Sequence, residues 1–280
     1  MKILITILLL CSISTFAQIK GVVKDSLSGQ PIPYVNISVE NENSGTTSEE
    51  NGTFRLPESI NGKNVIFSAL GFEKKKVKAS KASEILLKPI DYQLDEVIVN
   101  NSLGTKQREI GQTENTILQA FDNGPRIDTK YFPYHPSYKK TKYIKQVVIK
   151  TDNALEKATL KIHLYRVDEA GFPSEEILHK DLLITVKKGT TTTKIDLTKY
   201  QIKIPKNGIF IGIEKLIIES NKWEKATISY QPLLLYNRVD RDFFYTFSGG
   251  KWNRVNKQEN LDAFGRMMIY EPAIHLILTN

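Results

Sequence analysis

The sequence is poorest in cysteine: its 280 residues hold one. No internal disulfide can form, so packing has to stabilise the fold. Long apolar runs are also missing. The only marked one, residues 3–10, falls well short of the roughly 20 residues that a membrane-spanning helix needs. Preceded by Lys2 and followed by small residues up to Ala17, it has the order of a secretory signal peptide, with cleavage expected near Ala17. The single cysteine, Cys11, would leave with that segment. Lipid attachment at Cys11 is disfavoured because Leu10 stands where a small residue usually precedes a lipidated cysteine.

With 40% hydrophobic and 25% charged residues, the chain has the composition of a folded protein with packed cores. The formal net charge is +8, spread along the chain with few dense clusters. The clearest cluster, Lys74-Lys75-Lys76, lies in an alternating segment and reads as an edge strand protected from aggregation. An exported chain rarely meets nucleic acid, so weak attraction to anionic headgroups or acidic polysaccharide is the better use of the charge.

Period-two alternation dominates. Val35, Ile37 and Val39 point one way, and Asn36, Ser38 and Glu40 the other. Asn51-Gly52 reads as a tight turn, and β-like runs recur about every ten residues without intervening helices, which favours a β-sandwich. The motifs occur in order: G-x-V-x-D at 21–25, G-x-P-I-P at 29–33, then G-T-x-S, N-G-x-F and L-G-F. Together they resemble the carboxypeptidase-regulatory-like domain. The resemblance implies a seven-stranded, transthyretin-like Greek-key sandwich that is the non-catalytic accessory of such enzymes. Leu94, Asp95, Glu96, Val97, Ile98 and Val99 resemble the TonB-box-like segment that often follows this domain in TonB-dependent outer-membrane receptors. An extended strand of this kind can add to a partner's sheet edge, and completing or covering the first sandwich is its simpler role. A receptor barrel of some 22 strands, each of about 9–11 residues, needs more chain than follows Val99.

Residues 100–130 are polar and glycine-punctuated and are expected to be a linker, with a helical turn at 116–121 before Asn123-Gly124-Pro125. From residue 131 the alternation resumes through Ala158, Leu160, Ile162 and Leu164, then Leu182, Ile184 and Val186, then Ile209, Ile211 and Ile213. This reads as a second all-β unit, a jelly-roll-like sandwich, with a barrel as the alternative. The expected organisation is therefore a signal peptide (1–17), a first sandwich (18–99), a linker (100–130) and a second β domain (131–280).

Catalysis finds little support. His-x-x-Glu, a common start to a zinc peptidase site, is absent after all four histidines, and there is no G-x-S-x-G elbow. His163 and His275 fall on alternating strands, as satisfied or exposed polar positions. We therefore expect no enzyme, no metal and no cofactor. Trp223 and Trp252 lie near hairpin ends, where an indole can stack on a sugar while Asn221 or Asn253 bonds its hydroxyls; closing the ends of the sandwich is the simpler role. The expected function is that of an exported binding or assembly module of the Gram-negative envelope, periplasmic, outer-membrane-associated or at the cell surface. Its partner would be an envelope protein or a surface glycan. A carbohydrate-binding accessory protein is the alternative, and an unrecognised hydrolase the third reading.

Overall fold

The computed structural model describes residues 18–90, 104–114, 116–118, 124–225, 227–257 and 269–280. Seven strands form the first part: β1 (Gln18–Asp25), β2 (Asn36–Val39), β3 (Gly45–Thr47), β4 (Thr53–Pro57), β5 (Asn64–Ser68), β6 (Lys75–Lys78) and β7 (Glu84–Leu87). They make two sheets, ordered β4-β1-β7 and β3-β2-β5-β6, in which β1 pairs β7 in parallel and β4 in antiparallel fashion. The alternation expected from sequence is what closes this sandwich. Val23, Ile37, Val39, Phe54, Leu56, Val65, Phe67, Ile85 and Leu87 turn inward and are almost wholly buried. Lysine-rich β6 lies at a sheet edge, as its composition suggests. Gly52 takes φ +75° in the turn before β4, where a Cβ would meet the Val23 carbonyl at 2.7 Å.

One strand breaks the two-faced pattern. In β2 all four residues are buried, including Asn36 and Ser38 on the side that alternation assigns to solvent. The reason is the second β assembly, which packs over that face.

This larger assembly comprises β8 (Gln107–Gly111), β9 (Thr116–Leu118), β10 (Arg126–Phe132), β11 (Tyr143–Val167), β12 (Pro173–Glu176), β13 (Leu182–Asp196), β14 (Ile209–Lys215), β15 (Lys222–Glu224), β16 (Ile228–Tyr230), β17 (Leu233–Val239), β18 (Phe243–Ser248), β19 (Lys251–Asn256), β20 (Ile269–Pro272) and β21 (Ile274–Thr279). Strand β11 organises it. Its first half pairs with β21 and its second half with β14, while β13 runs beside both halves with a register shift between Asn153 and Lys157. Such an irregularity lets a long strand bend from one layer into another. A single apolar core draws Ile144, Val147 and Ile149 from the first half, Leu160, Ile162 and Leu164 from the second, and Ile209, Ile211 and Ile213 from β14.

The stretch expected as a linker contributes to this assembly. Strand β8 pairs with β21, and Thr116–Leu118 is a strand against β17 rather than a helical turn. Isolated polarity concealed these strands, because β8 and β9 bury little of their own surface and are held by main-chain bonds to neighbours distant in sequence. The expected signal peptide lies outside the described residues. Among the described residues no helix is long and apolar enough to cross a membrane.

Candidate functional site

Strands β10, β14 and β11 turn one face to the core and the other towards the first sandwich. On that outer face the register sets Lys161 beside Glu214 and His163 beside Gly212. In an exposed sheet such positions would be wet; here they are sealed by β2. The Asn36 amide donates to Glu214 Oε1 at 2.9 Å, and Ser38 donates to Asn36 Oδ1 at 2.7 Å. The Lys161 ammonium donates to the Tyr34 carbonyl at 2.8 Å and pairs with Asp181 at 3.1 Å.

His163 is the centre of the cluster. Its Nδ1 lies 2.7 Å from Glu176 Oε1 and its Nε2 3.0 Å from Glu214 Oε2. Its ring stacks on Tyr165 with a centroid separation of 5.5 Å. Burial alone would lower its pKa, but the two carboxylates outweigh burial and raise it from 6.5 to about 10. For Glu214, burial pushes upward, yet Lys161, His163 and Asn36 together hold the carboxyl below the usual range. The imidazole is thus an imidazolium at neutral pH, with both N–H groups engaged. In that state it has no lone pair with which to act as a general base; it clamps two carboxylates instead.

Further hydrogen bonds, main-chain and side-chain, flank this cluster on both sides. The Ile217 amide donates to Thr47 Oγ1 at 3.0 Å, Thr47 N–H donates to the Ile217 carbonyl at 3.3 Å, and the Glu219 amide donates to Glu49 Oε1 at 3.0 Å. At the other end the Asn41 amide donates to the Gly249 carbonyl at 3.2 Å, and Lys251 donates to Asn41 Oδ1 at 2.8 Å. The two units are therefore joined by a polar seam. Beside it a cleft of about 200 Å³ opens, lined by Asn36, Lys74, His163, Tyr165, Glu176 and Trp252, among others.

The predicted site residues fall apart in space. Trp252 is half-buried at the cleft wall, its ring edge-on to Tyr165 and Phe247 at 5.1 and 5.3 Å. Trp223 stands on the separate β15–β16 hairpin with the Lys225 ammonium 5.0 Å above its ring. The asparagines paired with them in the sugar-binding reading are committed elsewhere. Asn221 is wholly buried and bonded to Thr159 and Leu216, and the Asn253 amide is spent on Ser248 and Lys251. Leu94, Asp95, Glu96, Val97, Ile98 and Val99 lie outside the described residues.

Sequence reasoning missed Lys161, Glu176 and Glu214, and gave His163 only a satisfied or exposed polar position. A signal was present: β14 reads IFIGIEK, in which Phe210 and Gly212 share the face of Glu214. An aromatic and a glycine there point to a covered face.

A second ionic cluster lies within the larger assembly. Lys130 and Glu271 pair at 3.0 Å, each about 3% exposed, and Arg241 reaches the same carboxylate at 2.9 Å. Nearby, Asp128 accepts from Tyr236 and from Arg126, each at 2.6 Å. Burial pushes Lys215 down to about 8 despite the attraction of Asp128. Among the described residues no group of three or more His, Cys, Asp or Glu side chains is placed to hold a metal ion.

Residues 19–99 match the CarboxypepD_reg-like domain. The chain is 32% identical over 91 residues to the TonB-dependent receptor SusC of Bacteroides thetaiotaomicron, a stretch covering 31% of this chain and 9% of the receptor. The chain thus carries a CarboxypepD_reg-like domain and resembles a small part of that receptor. A solved structure of the cysteine protease and lectin-like domains of Cwp84, a surface layer associated protein of Clostridium difficile, overlaps 64% of this chain and 37% of its own, with 11% identity and a TM-score of 0.37. That score is too low to support a statement about fold or function.

Proposed function

We propose that the protein is a non-enzymatic binding or assembly module of the Gram-negative cell envelope. The observation that carries the reading is the domain match over residues 19–99, with its similarity to part of an outer-membrane receptor. The structure supports it physically: the first sandwich is held on a β platform through a polar seam, an arrangement that presents a recognition surface in a fixed orientation. Its central histidine is a clamp. In this reading Leu94, Asp95, Glu96, Val97, Ile98 and Val99 dock an envelope protein by adding a strand to its sheet.

The test is Val97→Pro, which removes a main-chain donor from that strand. Co-purification of the envelope partner should fall while the larger assembly keeps its melting temperature. Undiminished partner recovery together with a destabilised first sandwich would reject docking and make the segment part of the sandwich.

Carbohydrate binding is the second reading, favoured by the position of Trp252 on the wall of a cleft that Lys74 also lines. Binding to a glycan array that disappears in Trp252→Ala and survives in Trp223→Ala would bring it forward.

A further inference from the structure

Basic residues run along the whole chain, but in the larger assembly two stretches carry them without acidic residues among them. These stretches, residues 133–145 and 197–207, contain Lys139, Lys140, Lys142, Lys145, Lys199, Lys203 and Lys206 and no aspartate or glutamate. The fold brings the two together. The Tyr143 backbone bridges Lys203, the Ile144 amide donates to the Ile202 carbonyl at 2.7 Å, and the Leu197 amide donates to the Lys145 carbonyl at 2.8 Å. Asp196, next to the second stretch, accepts from the Thr198 amide and hydroxyl and also feels Lys145 and Lys199, while Asp181 pairs with Lys161.

Tyrosines are interleaved with these lysines. The ammoniums of Lys142 and Lys203 lie 5.2 and 5.4 Å from the Tyr143 ring centre, and those of Lys180 and Lys199 lie 5.3 and 5.0 Å from that of Tyr200. Arg108 approaches Tyr138 at 5.7 Å. The rings of Tyr138 and Tyr200 pack against the core beneath, while Lys139, Lys140, Lys142, Lys199 and Lys203 are exposed. Each half-buried ring thus gives the lysines a fixed footing and keeps their charges outermost.

We propose that this lysine-rich patch is a docking surface for an anionic membrane, held by the phosphate groups of lipid headgroups. Charge complementarity argues for an anionic partner, since the lysines lie close together and, among the described residues, only Asp196 sets a carboxylate against them, beside Lys145 and Lys199. The ring contacts argue for a headgroup layer over an acidic polysaccharide. A sugar binds to an open aromatic face, and the Tyr143 and Tyr200 rings already have ammonium groups over them. A layer of phosphates needs only several cations presented together. The surface uses none of the residues assigned to partner docking, so its failure would leave the proposed function standing.

The test uses the chain from Gln18 onward, which holds every described strand, in co-sedimentation with vesicles. Vesicles of phosphatidylcholine alone are compared with vesicles containing about 30% phosphatidylglycerol, at low salt and at about 0.5 M salt. Binding is expected to the anionic vesicles only, and to be lost at high salt. Each lysine near the surface is worth about fivefold in partitioning, so Lys139→Gln, Lys142→Gln, Lys199→Gln and Lys203→Gln combined should weaken binding at least about 100-fold. The pair Lys139→Gln and Lys142→Gln alone should give a proportionate smaller loss. A control with Lys20, Lys75, Lys78 and Lys187 changed to Gln removes the same charge elsewhere and should bind nearly as the parent does. The proposal is overturned by absence of binding at low salt, by equal binding to neutral vesicles, or by equal loss in the control. Retention on an acidic polysaccharide without vesicle binding would overturn it in favour of a glycan partner.

Discussion

The Asn36 side chain donates to Glu214 Oε1 at 2.9 Å, joining the first sandwich to the larger assembly at a point where both residues are buried. Asn36→Ala leaves a carboxylate oxygen short of a donor, at a cost of about 1–3 kcal/mol. We expect faster hydrogen exchange along β2 and β14, with the first core intact. Unchanged exchange at both strands would show that the bond contributes nothing to docking. Asn36→Asp should cost more at pH 7 than at pH 4.5, because two carboxylates then face each other.

His163 links the seam to pH. Its folded pKa of about 10 lies above 6.5, so its contribution is fully present below about pH 6.5 and is lost as pH rises through about 10. Glu214, held below 4.5, contributes above that value and loses its contribution as pH falls. Lys215 acts in the opposite sense to His163: its pKa is depressed to about 8, so its penalty is relieved as pH rises. The difference between the parent and His163→Gln isolates the histidine. It should be about 3–5 kcal/mol at neutral pH and shrink towards pH 10. A difference independent of pH from 6 to 10 would show that the imidazole is neutral in the fold.

The Lys130–Glu271 pair makes a separate prediction inside the larger assembly. Glu271→Gln leaves the Lys130 charge buried with a weaker partner and should destabilise by about 3–5 kcal/mol. Replacing both, as Lys130→Met with Glu271→Leu, should cost much less, since Arg241 is about a third exposed and can turn to water. Denaturant unfolding of the three variants measures this. A double variant as unstable as the single would mean that the pair's attraction exceeds its desolvation.

Much of the first sandwich was legible because its strands alternate strictly and its turns carry Gly52 and its neighbours. The period of Val35, Ile37 and Val39 named the core face correctly. The same period could not tell that Asn36 and Ser38 face another sheet, because burial by a distant part of the chain leaves no local trace. Strands β8 and β9 were hidden for a related reason: their pairing partners, β21 and β17, lie more than a hundred residues away. The long β11 was only partly visible, since its bulge near Asn153–Lys157 breaks the alternation that announced residues 158–164. The Lys161–His163–Glu214 cluster combines both difficulties, being local in no sense until β11 and β14 are side by side.

We propose a boundary between the two units within residues 91–103, between the last described residue of the first sandwich and β8. The first core is built wholly from residues 19–87, so the fragment 18–99 should fold alone with cooperative thermal unfolding. A fragment that stays unfolded would make the two units one domain.

The most direct test of the envelope assignment is chemical crosslinking in intact producing cells, followed by separation of envelope from soluble contents and mass spectrometry of the adducts. The expected result is recovery with the envelope and one recurrent envelope protein crosslinked to residues 18–99. Recovery among soluble cytoplasmic contents without a recurrent adduct would contradict it.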